Sequence, residues 1–193
     1  MMDNQSSKAR LRSVLRRRRH AIVVSAQHIA ARALTRSVMQ LPGWHNATRI
    51  AVYVAADGEI DPLPLAEVAR EAGKQVFLPI ISPDQHLHFA LWEAETNLAP
   101  NRYNIPEPPS SATVCPTPDL DIIFLPLVAW DLRGGRLGMG GGFYDRTLAA
   151  VEGPLLVGLG YGEQQVAEVP RDSWDVELDY IATEAALHRN AAR

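Results

Sequence analysis

Residues 122–146 read IIFLPLVAWDLRGGRLGMGGGFYDR. Positions 122–130 form an apolar run of the kind expected for a strand buried on both faces. Glycine then takes six of the nine positions 134–142, out of 13 in the whole chain. Two aromatics and an Asp follow at once. A helix is expected to start within or just after the glycines and to carry residues 144–151. Clustered glycine lets backbone N–H groups approach a ligand closely and point at it, and phosphate oxygens are the usual guests. The competing reading is a mobile surface loop, because glycine also marks turns.

Working outward, strands and helices alternate. Residues 8–22 read as a helix with Leu11, Val14, Leu15 and Ile22 on one broad face. Ser25 is placed to cap a second helix that runs to Gln40, where Pro42-Gly43 ends it. Residues 50–54 (IAVYV) read as a strand, 55–58 as a turn, 62–71 as a helix stopped by Gly73, and 75–81 as a further strand. Residues 87–92 suit another strand. The stretch 97–119 holds six prolines and reads as one long connection, a feature that is often functional. Residues 155–161 and 180–184 complete the strands. The pattern predicts an α/β fold: a single three-layer α/β/α domain over residues 1–193, Rossmann-like, with a mostly parallel sheet. Ligands bind such sheets at the carboxyl ends of the strands. The glycine segment after 122–130 and the turn bearing Glu59 after 50–54 are therefore expected to line one crevice.

Composition narrows the field. The chain has 193 residues, 47% hydrophobic and 21% charged, with one cysteine. A domain of this size buries a full core without staples, and a single Cys115 permits no internal disulfide. No run approaches the roughly 18 apolar residues of a membrane span, and no signal peptide is visible, so a cytoplasmic protein without membrane association is expected. The net charge of −3 argues against nucleic acid, although residues 1–20 hold seven Lys or Arg and one Asp. The run Arg16 to Arg19 reads as a solvated helix face. Six histidines show no metal spacing with nearby acids and receive no role.

The glycine segment is neither a Walker A loop, since no Gly-Lys-Ser/Thr closes it, nor a dinucleotide fingerprint, since Phe143 stands where the third glycine belongs. Its chemistry remains informative. Arg136 supplies a guanidinium fork suited to phosphate. Phe143 and Tyr144 offer stacking faces or, equally, helix packing. Asp145 offers a hard oxygen of the type Mg²⁺ prefers, or is an ordinary charge at a helix start.

The order Phe124-Leu125-Pro126, Asp131, then 135–145 (GRLGMGGGFYD) resembles the signature of the 5-formyltetrahydrofolate cyclo-ligase family. Residues 8–12 (KARLR) are similar to that family's K-x-x-L-R element, 53–60 (YVAADGEI) to its strand-turn-Glu-Ile element, and 104–108 (NIPEP) to its N/G-I-x-E/Q-P element. Val169-Pro170, Asp175 and Asp179 resemble its carboxyl-terminal part. The resemblance implies that ATP and 5-formyltetrahydrofolate give 5,10-methenyltetrahydrofolate, ADP and phosphate, with Mg²⁺ required, through phosphorylation of the formyl oxygen and attack by N10.

Carried over residue by residue, the resemblance implies ATP contacts at Lys8, Arg12, Arg136, Leu137, Gly138, Met139, Gly140, Gly141, Gly142, Phe143 and Tyr144. It implies folate contacts at Val54, Glu59, Tyr103 and Phe143, and Mg²⁺ association at Asp145 and Asp179. Arg136, Tyr144 and Asp145 are the expected catalytic residues, and the basic helix within 1–24 is expected to join the ATP site. Many family members carry Lys where this chain has Gly141, and often a basic residue at Met139, so Arg136 and backbone N–H groups are expected to bear more of the phosphate. The chain is expected to act as a monomer. Two alternatives are a nucleic-acid-binding protein using the basic helix, and another phosphate-ligand α/β enzyme working on a phosphosugar or an acyl-CoA.

Overall fold

The computed structural model describes residues 4–191, so the outermost residues of the expected domain, 1–3 and 192–193, lie outside it. The elements in chain order are α1 (Asn4–His20), α2 (Val24–Val38), β1 (Arg49–Ala51), α3 (Leu63–Glu71), β2 (Gln75–Ile81), β3 (Leu87–Leu91), β4 (Ala99–Pro100), β5 (Pro106–Glu107), β6 (Val114–Cys115), β7 (Ile122–Pro126), β8 (Ala129–Trp130), β9 (Arg136–Leu137), α4 (Phe143–Leu148), β10 (Leu155–Leu159), β11 (Tyr180–Ala182) and β12 (Leu187–Arg189). Eight strands form one sheet in the order β12-β11-β10-β7-β1-β2-β3-β6. The central pairings β11–β10, β10–β7, β7–β1 and β1–β2 are parallel. The outer pairings β12–β11, β2–β3 and β3–β6 are antiparallel. The sheet is thus a parallel core with antiparallel margins.

Side chains alternate between the faces, as a strand's period of two requires. Ile50, Val52, Ile122, Phe124, Val157 and Leu159 face one way, into a core shared with Leu34 and Val38 of α2 and with Leu65 and Ala69 of α3. Ala51, Ile123, Leu125 and Leu156 face the other way, onto Leu148 of α4 with Phe143 and Tyr144 packed alongside. Both faces are covered. That is why these strands are apolar at every position instead of alternating.

Several boundaries move from their expected places. The run 122–130 is not one strand. Pro126 ends β7, and residues 129–130 fold back in a hairpin against β9. A proline has no N–H to continue a ladder, and Asp131 pins the tip: its buried carboxylate accepts the N–H groups of Arg133, Gly135 and Val169. The glycine segment therefore leaves a hairpin, not the central strand itself. Helix α2 starts two residues early, with Val23 at the cap and Ser25 inside the helix. The helix expected over 144–151 is only the six residues of α4. The long connection contributes three two-residue strands, and β12 was not expected at all. Two- and three-residue strands carry too little periodicity to read.

Candidate active site

A crevice of about 1090 Å³ opens across the carboxyl ends of β1, β2 and β7. Tyr53, Val54, Ala56, Asp57 and Glu59 form one wall, and residues 136–146 form the other. Helix α1 and the loop carrying Asp172, Trp174 and Asp175 close one end of the glycine wall. Tyr103, from the long connection, stands 52% exposed at the rim and meets the Phe143 ring edge-to-face at 5.9 Å.

On the glycine wall, Arg136 is buried and its Nη2 donates to Asp145 Oδ1 at 2.5 Å. The same oxygen accepts the Val176 N–H at 3.2 Å. Two buried donors on this wall, Arg136 Nε and the Tyr144 hydroxyl, have no partner among the described residues. A buried unsatisfied donor is costly and rare, so a pair in one crevice points to a bound acceptor. Burial raises the Tyr144 hydroxyl well above its ordinary pKa, with the charge of Glu59 adding to the effect and Arg136 opposing it. It stays protonated and able to donate, and it feels both walls.

Arg12 Nε donates to the Gly138 carbonyl at 2.8 Å, fastening α1 to the glycine segment. Lys8 lines the crevice, but its ammonium is engaged by Asp172 at 2.7 Å and Asp175 at 2.5 Å. Gly138, Met139, Gly140, Gly141 and Gly142 all line the crevice, and Met139 is exposed. The Leu137 side chain instead packs with Leu15, Val128 and Val169. A Cβ added at Gly141 would lie 2.7 Å from the Phe143 ring. Any side chain there requires the Phe143 ring to shift.

On the opposite wall, Tyr53 is buried and its hydroxyl donates to the Ile60 carbonyl at 2.7 Å. Glu59 Oε2 accepts the Ala56 N–H at 3.1 Å, and no cation forms an ion pair with it among the described residues. Burial drives the Glu59 carboxyl up to about 7, against the pull of that hydrogen bond and of Arg19.

Every predicted site residue except Asp179 lines the crevice. Asp179 is at the other end of the sheet: its carboxylate accepts the Leu156 N–H at 2.8 Å, beside the amino end of β10. The residue just before β11 lies beside the amino ends of the parallel strands, outside the crevice lining. Asp172, Trp174 and Asp175 were not expected as crevice lining. Their only sequence sign was an acidic, aromatic tail after Val169-Pro170. The arginine run is a solvated face only in part: Arg17 and Arg18 are exposed, but the Arg19 side chain is wholly buried, and Arg16 is bidentate on Asp57 at 2.8 Å.

Among the described residues no three His, Cys, Asp or Glu side chains gather at a metal-sized site, and no helix is long and apolar enough to cross a membrane. The model of the 5-formyltetrahydrofolate cyclo-ligase family matches residues 4–184. A 5-formyltetrahydrofolate cyclo-ligase of Haemophilus influenzae is 37% identical over 91% of this chain and 96% of its own length. That of Escherichia coli strain K12 is 37% identical over 88% and 96%. The structure of the 5,10-methenyltetrahydrofolate synthetase of Aquifex aeolicus superposes with a TM-score of 0.84 at 29% identity, covering 95% of this chain and 93% of that one. The Mycoplasma pneumoniae synthetase superposes with a TM-score of 0.74 at 21% identity, over 92% and 98%, a likeness of fold.

Proposed function

Because the chain belongs to the 5-formyltetrahydrofolate cyclo-ligase family, we propose that the crevice between the glycine segment and the Glu59 turn is where it joins ATP to 5-formyltetrahydrofolate chemistry. The enzyme is a ligase that closes 5-formyltetrahydrofolate to 5,10-methenyltetrahydrofolate with ATP as co-substrate. The observation that carries the site reading is the pair of unpartnered buried donors, Arg136 Nε and the Tyr144 hydroxyl, facing a buried carboxylate across one crevice.

In this reading the triphosphate lies along the glycine segment, held by backbone N–H groups, Arg12 and Arg136. The pterin lies against Val54 and Glu59, whose ionised carboxylate accepts the pterin's amino and ring N–H donors. Tyr103 and Phe143 flank the folate where the two substrates meet. The formyl oxygen attacks the γ-phosphorus and ADP leaves. N10 then attacks the activated formyl carbon and gives up its proton, and phosphate departs with the former formyl oxygen. Little covalent work falls to the protein: it aligns the two substrates and supports charge that builds on phosphoryl oxygens. Arg136 and the Tyr144 hydroxyl donate to those oxygens.

The donor set suits Mg²⁺ in one mode. Mg²⁺ is commonly held by one or two carboxylates together with substrate phosphates, and Asp145 offers Oδ2, which has no hydrogen-bond partner among the described residues, beside the phosphate wall. When bound, the ion neutralises phosphate charge. Asp179 is left out of this proposal by its position. We further propose a cytoplasmic monomer that binds neither nucleic acid nor membrane. In support, four of the seven basic side chains that suggested nucleic acid, Lys8, Arg12, Arg16 and Arg19, are engaged within the fold.

The test is direct. Protein, ATP, Mg²⁺ and 5-formyltetrahydrofolate should produce the near-ultraviolet absorbance of the methenyl product, and omission of ATP should abolish it. Folded protein that yields no product under these conditions would overturn the assignment.

A further inference from the structure

The cations of α1 recur at Lys8, Arg12, Arg16 and Arg19, spacings that keep them on one stripe of a helix. In order they reach the Asp172–Asp175 loop, the glycine segment and the turn before Glu59. The last contact is the densest. Asp57 receives Arg16 through Nε and Nη2, both at 2.8 Å. It also receives Arg19 Nη2 and, at 3.0 Å, His20 Nε2. Its carbonyl accepts Arg19 Nε at 3.0 Å. Arg19 also donates through Nη1 to the Leu127 carbonyl just past β7, at 3.2 Å. One wholly buried guanidinium thus ties together the exits of the two adjacent strands β1 and β7.

The tie bears on Glu59 through the turn itself. Asp57 and Gly58 both sit at positive φ, 53° and 76°, and the Glu59 N–H closes the turn on the Ala56 carbonyl at 2.9 Å. That is the mirror-image β-turn in which Asp-Gly is favoured, and a non-glycine residue at its first central position is held there at some strain. The Asp57 side chain points out of the turn into α1, while the Glu59 side chain folds back onto the Ala56 N–H. Helix and turn are in direct contact: a Cβ at Gly58 would come within 3.1 Å of the His20 ring.

We propose that Asp57, clamped by Arg16, Arg19 and His20, is a positioning residue for folate: it fixes the turn that presents Glu59 and sets the charge that Glu59 experiences. The proposal rests on the reading of Glu59 as the pterin-binding carboxylate. Four side chains bear on Glu59 electrostatically: Arg19 from α1, Asp57 from the same turn, Tyr53 from the end of β1, and Tyr144 from α4. Arg19 and Asp57 are the two that act with opposite sign on its ionisation. Asp57 itself is held ionised, its carboxyl lowered to about 2 chiefly by the hydrogen bond from Arg16.

The experiment measures separate KM values for 5-formyltetrahydrofolate and ATP, and the pH profile of kcat/KM for folate, in Asp57→Asn, Asp57→Glu, Arg16→Gln and Glu59→Gln. Asp57→Asn should raise the folate KM about tenfold and leave the ATP KM within about twofold, the size of a lost charge-assisted contact. It should also move the acid limb of the folate profile to lower pH, because Arg19 then acts unopposed on Glu59. Asp57→Glu should restore part of the folate KM and return the limb. Arg16→Gln, a change at a half-exposed side chain that leaves the buried Arg19 in place, should move the limb to higher pH. Opposite shifts from two substitutions in one ion cluster do not arise from loss of stability. If Glu59→Gln raises the folate KM but Asp57→Asn and Arg16→Gln leave both folate KM and limb unmoved, the positioning role is wrong and the Glu59 reading survives. If Asp57→Asn raises both KM values alike, the role is wrong too. If Glu59→Gln itself leaves the folate KM unchanged, the Glu59 reading falls and takes this inference with it.

Discussion

The two walls of the crevice handle charge in opposite ways. On the glycine wall the charges already have partners: Arg136 with Asp145, Lys8 with Asp172 and Asp175, Arg12 with the Gly138 carbonyl. On the turn wall Glu59 is buried against a single backbone N–H, and its carboxyl is driven up to about 7. In the proposed reading, a phosphate arriving at the first wall meets charges already held in place and two donors still open, Arg136 Nε and the Tyr144 hydroxyl. A pterin arriving at the second relieves a carboxylate that the fold leaves short of donors. The first wall therefore recognises through preorganised geometry, and the second through an unmet electrostatic need.

The sharpest way to break this contrast is Arg136→Ala. It removes the guanidinium from phosphate and also strands Asp145, so kcat/KM for ATP should fall about 10²- to 10³-fold, with the folate KM changed much less. Arg136→Lys should recover only part of the loss, because an ammonium cannot span two acceptors as a planar fork does. Steady-state kinetics with each substrate varied in turn decide it. A purely folate-side effect would move Arg136 to the other wall.

Glu59→Gln tests the second wall and separates binding from stability. The folate KM should rise about 10- to 50-fold with the ATP KM nearly unchanged. For the parent enzyme, kcat/KM for folate should climb as pH rises through about 7, where the carboxylate ionises, and this limb should vanish in the variant. Stability should move the other way. A carboxyl raised from 4.5 to about 7 on folding binds more protons in the folded state between those values. The ligand-free protein therefore loses stability as pH rises across that window and does not regain it above. Glutamine removes the penalty, so Glu59→Gln should be more stable than the parent by about 1–3 kcal/mol at pH 8 and about equal to it at pH 4. Thermal denaturation at the two pH values measures this. A variant less stable at pH 8 would show that the carboxylate is satisfied in a way the contrast denies.

The same contrast explains what the sequence made legible. The parallel core was readable because strands buried on both faces are apolar at every position, and residues 75–81 mark β2 to the residue. The glycine wall was readable because its function needs side chains to be absent, which composition records directly. The turn wall was readable in its place, because it follows the carboxyl end of a strand, but the folate role of Glu59 came only from the resemblance. Nothing in an isolated Glu59 announces that it is buried without a cation. Arg16 and Arg19 were misread for the converse reason: four consecutive arginines look like a solvated face, and only the packed helix shows Arg19 spanning Asp57 and Leu127. The hairpin of β8 and β9 was hidden because two-residue strands leave no period to detect.

A smaller effect is expected from Gly141→Lys, which inserts the lysine common in this family. If preorganised geometry governs the glycine wall, added positive charge does not help. The new Cβ would sit 2.7 Å from the Phe143 ring, and Phe143 also touches Tyr103 and packs beneath the sheet. The ring must move before the ammonium reaches phosphate. We expect the ATP KM to change by no more than about threefold and the folate KM to rise by a similar factor, since each interaction involved is a contact of about 0.5–1.5 kcal/mol. A tenfold gain in ATP affinity would show that charge, not geometry, limits this wall.

The smallest effect on turnover belongs to Asp179→Asn, outside both walls. Resemblance pairs this residue with Asp145 as a Mg²⁺ carboxylate, but its oxygen accepts the Leu156 N–H at the amino end of β10 while Asp145 stands across from the carboxyl ends. The two carboxylates thus have different partners, and Asp179 does not line the crevice. Asn keeps a carbonyl oxygen to accept the N–H, in a weaker, uncharged hydrogen bond. The thermal midpoint should therefore fall by a few degrees, the equivalent of about 1 kcal/mol. The concentration of Mg²⁺ giving half-maximal turnover should stay unchanged. Asp145→Asn in the same titration should raise that concentration several-fold. A matched rise in both variants would join the two carboxylates at one ion and undo the separation of sheet ends on which the site is built.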